Sequence, residues 1–132
     1  MNTNLSFACD YMEGCHPAIL EKLTETNLIK TPGYGLDDYT RSACEKIKSA
    51  CRKPEAQVFL LTGGTQTNAT VISAILKSYQ GVVSASTGHI ATHEAGAVEA
   101  CGHKVLTLPS HNGKIDAAEL SRFLADYDQD AN

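Results

Sequence analysis

Two short stretches of this chain combine residue types and spacing that suit chemistry. The first is Thr62-Gly63-Gly64-Thr65-Gln66-Thr67-Asn68, where a mostly apolar run gives way to a helical pattern. Glycines let neighbouring amides converge on one anion, a helix N-terminus adds partial positive charge, and Thr65 and Thr67 offer hydroxyl donors. The expected chemistry is a cup for a phosphate. The stretch is neither a P-loop, since GxxxxGK[ST] is absent, nor a dinucleotide fingerprint, since no GxGxxG exists. A Gly-Gly turn alone is equally explained by plain turn geometry, so the anion reading needs a second group on the same rim.

That group is offered by Gly88-His89-Ile90-Ala91-Thr92-His93-Glu94. A neutral imidazole is flat enough to stack on an aromatic ring and accepts a proton near neutral pH, so His89 suits both holding a planar cofactor and assisting chemistry on it. A metal is the competing reading, because His89 and His93 stand four apart with Cys101 and His103 nearby. HxxxH lacks the glutamate after its first histidine that the zincin order requires, and the expected metal set is none. His93, His103 and His111 each have a purely structural alternative.

These stretches need elements to carry them. A first helix is expected from Pro17 to about Asn27, with apolar Ile19, Leu20, Leu23 and Leu28 at helical spacing and proline in the first turn. Thr31-Pro32-Gly33-Tyr34-Gly35 reads as a shaped loop, after which Asp37 or Asp38 caps a helix to Cys51 with Tyr39, Ala43, Ile47 and Ala50 along its buried stripe. QVFLLT, Gln57 to Thr62, suits a strand buried on both faces. A helix from Thr67 to Tyr79 follows, then a strand at Val82 to Ser86, a small Ala-rich helix from Thr92 to Cys101 closed by Gly102, and a strand from Lys104 to Leu108. Asn112-Gly113 marks a turn, and Asp116 caps a last helix from Ala117 to Asp126.

Strands alternating with helices at this spacing imply right-handed crossovers, and the class is α/β with a mainly parallel sheet flanked by helices. In such sheets ligands bind at the carboxyl ends of strands, where both stretches fall. Three strands leave two bare edges, and a polar tail follows where another strand is due. An N-terminal piece of a larger protein is therefore expected, with an arm and two helices over residues 1–52 and the first part of an incomplete large domain over 53–132.

Composition narrows the function. The 132 residues are 42% hydrophobic and 20% charged, within the globular range. Eleven Lys plus Arg against 15 Asp plus Glu give a net charge of −4, with no cluster of cations to displace counterions, so a nucleic-acid binder is not expected. The longest apolar run, Val58 to Leu61, is far below the ~20 residues of a membrane span, and the N-terminus has no signal-peptide pattern. Five cysteines, at 9, 15, 44, 51 and 101, without a CxxC pair read as reduced thiols in a cytoplasm. Cys44 and Cys51 share a helix face as small buried hydrophobes.

Four segments then stand out together: DYMEGCHPAIL, TPGYGLDDY, FLLTGGTQTN and STGHIATHEAGAVEACGHKVLTLP. In this order and spacing they resemble the pyridoxal-phosphate-dependent threonine aldolases of the aromatic amino acid beta-eliminating lyase group, over nearly the whole chain. The resemblance implies a fold-type-I, aminotransferase-like large domain and active sites built from two chains in a homodimer or homotetramer. Carried over by motif, Gly64 and Thr65 hold the pyridoxal 5'-phosphate phosphate, and His89 lies against the pyridine ring as the catalytic base. Tyr34 and Gly35 match the family's YG loop and Cys9 a substrate-side position; a polar Ser or Asn commonly stands at Cys9's place, before Asp10, and a thiol is a poorer hydrogen-bonding group. Glu94 matches an acidic position of the histidine segment without an assigned role.

The implied reaction is cleavage of L-threonine or L-allo-threonine to glycine and acetaldehyde. None of Lys22, Lys30, Lys46, Lys48, Lys53, Lys77, Lys104 or Lys114 matches the family's Schiff-base lysine motif, and the aspartate that pairs with the pyridinium nitrogen also lies further on in the family, so this stretch alone is expected to be inactive. Two alternatives stand beside it. One is a noncatalytic module that binds a phosphorylated ligand, or a partner along a sheet edge; the other is a different lyase of the same group.

Overall fold

The computed structural model describes Ala8, Cys9 and residues 11–129 and divides the chain into two compact units, Met1–Val58 and Phe59–Asn132. Most of the expected N-terminal arm, including Asp10, lies outside the described residues; Tyr11 to Glu13 form bends.

In the first unit, α1 spans Pro17–Thr26 and α2 spans Asp38–Cys51. Proline occupies the first turn of α1, and the His16 side chain accepts from the Ala18 amide at 3.2 Å. Asp37 caps α2 with both carboxylate oxygens, accepting from the Thr40 hydroxyl at 2.7 Å and the Thr40 amide at 2.8 Å. Those bonds hold its carboxyl below the usual range. Arg52 ends the helix in the left-handed region at φ 54°. The expected buried stripes are largely uncovered: Ile19, Leu20, Leu23, Tyr39 and Ile47 are exposed. So is Cys51, whereas Cys44 is half-buried, its thiol 3.9 Å from the Val58 carbonyl oxygen. Of the stripe expected on α2 only Ala43 is half-buried, and Ala50 too is exposed, because a face is buried only where another element covers it.

The second unit holds α3 (Gly64–Ile75), β1 (Gly81–Ala85), α4 (His89–Thr92), α5 (Ala97–Ala100), β2 (Lys104–Leu108) and α6 (Ala117–Gln129). Strands β1 and β2 pair in parallel, with Gly81 opposite Lys104 and Ala85 opposite Leu108. The short helices α4 and α5 pack against this pair, and α3 packs against α5. Among the described residues the apolar core is Val98 and Leu108, with Ser84, Glu94 and His103 the buried polar groups. His103 is structural: its Nδ1 donates to the Gln80 carbonyl at 3.2 Å.

Three expectations are corrected here. Gln57 to Thr62 is not a strand; a buried strand needs a neighbour for its amides and carbonyls, and β1 and β2 pair only with each other among the described residues. The helix expected from Thr67 to Tyr79 begins at Gly64 and stops at Ile75. It starts early because the Gln66 side chain reaches back to accept from the Thr62 amide at 3.1 Å and hydroxyl at 2.5 Å. It stops early because Gln80 captures the Lys77 amide at 2.9 Å. The single helix expected from Thr92 to Cys101 is instead α4 and α5, separated by left-handed Ala95 and Gly96 at φ 50° and 76°. By contrast, Asn112 and Gly113 both take positive φ, the pairing a two-residue hairpin turn demands, between bridged His111 and Lys114. Asp116 caps α6, Oδ1 accepting from the amides of Ala118 and Glu119.

Candidate active site at the start of α3 and α4

Gly63 is extended and serves as the N-cap of α3 without any side-chain cap. The first internal bond of the helix runs from the Thr67 amide to the Gly63 carbonyl at 3.0 Å. The amides of Gly64, Thr65 and Gln66 therefore have no acceptor among the described residues, and the space beside Gly63 and Gly64 is open. This is the arrangement an anion needs at a helix N-terminus. Of the two threonines, only Thr65 keeps its hydroxyl free among the described residues; Thr67 donates to the Gly63 carbonyl at 2.9 Å, so the expectation that it contributes a donor is corrected.

His89 opens α4 from the N-cap Gly88, directly beyond the carboxyl end of β1. A Cβ on Gly88 would lie 2.2 Å from Ser84 Oγ and 3.0 Å from the Ala85 carbonyl, so only glycine lets the chain pass this close to the strand. The His89 side chain is 64% exposed, while Glu94, which it meets, is 0% exposed. Nδ1 of His89 lies 2.8 Å from Glu94 Oε1, and Asn68 Nδ2 donates to the same oxygen at 2.5 Å. Glu94 Oε2 is buried and, among the described residues, has no partner. Burial pushes the Glu94 carboxyl up, but the hydrogen bonds from His89 and Asn68, together with the charge at His89, outweigh it, and the group is held below its ordinary value. His93 stands beside His89 with ring centroids 5.5 Å apart, tilted by 55°.

Asn68 connects the two stretches. It follows Gly64 by four residues, one turn on and on the same face, a rise of about 6 Å. Through Asn68 and Glu94 the uncapped end of α3 and the imidazole of His89 become parts of one hydrogen-bonded assembly. Reasoning from sequence included Asn68 in the first stretch but gave neither it nor Glu94 a role; the acidic residue five positions after His89 was the available signal. Cys9 and Tyr34 belong to the first unit. Cys9 is half-buried, and Tyr34 is fully exposed at φ 61°, followed by Gly35 at φ 75°. Among the described residues no three His, Cys, Asp or Glu side chains gather to hold a metal ion, and no helix is long and apolar enough to cross a membrane.

A family model described as beta-eliminating lyase matches residues 7–131. A low specificity L-threonine aldolase of Pseudomonas sp. (strain NCIMB 10558) is 30% identical over 116 residues, covering 86% of this chain and 33% of the relative. One from Pseudomonas aeruginosa is 29% identical with the same coverage. The solved threonine aldolase of Leishmania major superimposes with a TM-score of 0.84 at 39% identity, over 88% of this chain and 34% of that one. The chain thus spans about a third of the length of the relatives it matches. The α/β class and the fold-type-I architecture expected from the sequence are those of the Leishmania structure.

Proposed function

The chain belongs to the beta-eliminating lyase family, and from that premise we propose that it is the N-terminal part of a low-specificity L-threonine aldolase that cleaves L-threonine or L-allo-threonine to glycine and acetaldehyde. The family is generally pyridoxal-phosphate-dependent. The residues present fit that cofactor: three amides and a Thr65 hydroxyl that have no partner among the described residues suit its phosphate, and the exposed ring of His89 offers a flat face for its pyridine. The observation that carries the reading is the Asn68–Glu94–His89 chain of hydrogen bonds, which links helix α3, proposed to hold the phosphate, to the imidazole proposed to face the ring.

When bound, the cofactor supplies an electron sink for the pair left as the Cα–Cβ bond breaks. In this reading Gly64 and Thr65 bind the phosphate, and helix α3 contributes partial positive charge to it. His89 orients the ring and accepts the proton of the substrate's β-hydroxyl, which a neutral imidazole does near neutral pH. Tyr34 and Cys9 are substrate-binding residues in this reading by their match to the family's motifs, and the working protein is a homodimer or homotetramer. In this reading these residues supply the contacts to the phosphate and the ring, and none of their lysines is assigned as the cofactor's anchor.

Titrating the chain with pyridoxal phosphate tests this by the change in cofactor absorption. Saturable binding that inorganic phosphate competes away is expected, with His89→Asn altering the spectrum of the complex. Absence of saturable binding would refute the site. A chain extended to include the anchoring lysine should release acetaldehyde from threonine, and its failure to do so would refute the aldolase assignment.

A further inference from the structure

Glu94 reaches His89 only because the helix between them is broken. On a continuous helix, with about 100° per residue, Glu94 would sit roughly 140° around from His89, and His93 would be its neighbour. Instead the helix ends at Thr92, and His93, at φ −126° and ψ 8°, leaves the helical path before Glu94, whose Oε1 comes within 2.8 Å of His89 Nδ1. Directly after Glu94, Ala95 takes φ 50°, a non-glycine outlier of the kind found at functional sites. The Glu94 carboxylate is fully buried and, among the described residues, keeps one oxygen without a partner. An apolar side chain of similar size would be cheaper in that place if packing were the whole role.

We infer that Glu94 and Asn68 are positioning residues that fix His89 as the Nδ1–H tautomer, leaving the Nε2 lone pair outward. An ionised carboxylate only accepts, so the hydrogen between the two groups is supplied by the imidazole. Asn68 donates to the same oxygen and so fixes where the carboxylate stands. Because Asn68 belongs to α3, the pair also holds the ring in register with the open amides at Gly64 and Thr65. This deepens the function proposed above and rests on it for what Nε2 faces; the proton state of the ring stands independently.

Imidazole nitrogen NMR of the whole chain, without cofactor and at a pH where the ring is neutral, reads the tautomer directly. Wild type should show His89 protonated at Nδ1 and bare at Nε2. Glu94→Gln, which keeps the volume, should lower the ratio of Nδ1–H to Nε2–H at least threefold, and Asn68→Ala should lower it in the same direction by less. His93 should keep its own ratio in both variants. A wild-type His89 carrying its proton mainly on Nε2, or an unchanged ratio in Glu94→Gln, would overturn the inference. The wild-type measurement holds even if a variant fails to fold, and cofactor binding is judged separately by the titration above.

Discussion

Replacing Gly88 by alanine should be among the most damaging single-atom changes in the second unit. Its backbone, at φ −68° and ψ 148°, suits alanine without strain, so the whole effect is steric. The new methyl would lie 2.2 Å from Ser84 Oγ and 3.0 Å from the Ala85 carbonyl, against ordinary heavy-atom contact near 3.5 Å. Ser84 is buried, and its hydroxyl donates to that same carbonyl at 3.0 Å. Two relaxations are open. Either Ser84 turns away and buries an unbonded hydroxyl, costing about 1–3 kcal/mol, or α4 shifts off β1, with an overpacking cost of about 1–3 kcal/mol. A loss of about 2–3 kcal/mol is expected in urea unfolding followed by far-ultraviolet circular dichroism. In the double variant Gly88→Ala with Ser84→Gly the worse of the two overlaps disappears, so the pair should couple favourably by about 1–2 kcal/mol. Stability of Gly88→Ala within about 0.5 kcal/mol of wild type, the range of an unremarkable surface change, would refute the steric argument, as would purely additive behaviour of the double variant.

Other outcomes follow from the same geometry. Thr65→Ala should weaken pyridoxal phosphate binding by about 1–3 kcal/mol, the scale of a hydrogen bond to a charged group; equal affinity in a fluorescence titration would remove Thr65 from the cup. Glu94 has a folded-state pKa below its ordinary 4.5, so it stabilises the fold above that pH and the contribution is lost as pH falls through the lower folded value. The urea midpoint should therefore drop on acidification below about 4.5 less steeply in Glu94→Gln than in wild type; equal slopes would contradict the assignment. Ala95→Gly should stabilise by up to about 1 kcal/mol, since relief of the left-handed conformation exceeds the added chain entropy, and a lowered urea midpoint would count against strain there.

Much of this arrangement was legible from residue types. Proline at 17, the acidic caps at 37 and 116, and Asn112-Gly113 each act through their own backbone or the next turn, and the structure puts α1, α2, α6 and the hairpin where those signals place them. Strand β2 was also legible as a bounded apolar run. The failures share a cause, namely dependence on a distant or competing group. Val58 to Leu61 has strand composition but no partner strand among the described residues. The end of α3 is decided by the Gln80 side chain, and the break between α4 and α5 by a left-handed alanine that no propensity signals. For the site, Gly64, Thr65 and His89 were visible because their chemistry is intrinsic. Asn68 was not, because its role exists only once α3 and the segment after α4 lie side by side.

The run Phe59-Leu60-Leu61 leads to a practical consequence. These residues are 78%, 54% and 41% exposed, a greasy ribbon whose main chain, unpaired with any strand among the described residues, can zip onto other ribbons. Purified by itself, the polypeptide should light up hydrophobic dyes and clump as its concentration rises, and changing Leu60 to lysine should quiet both behaviours while leaving the helices on either side intact.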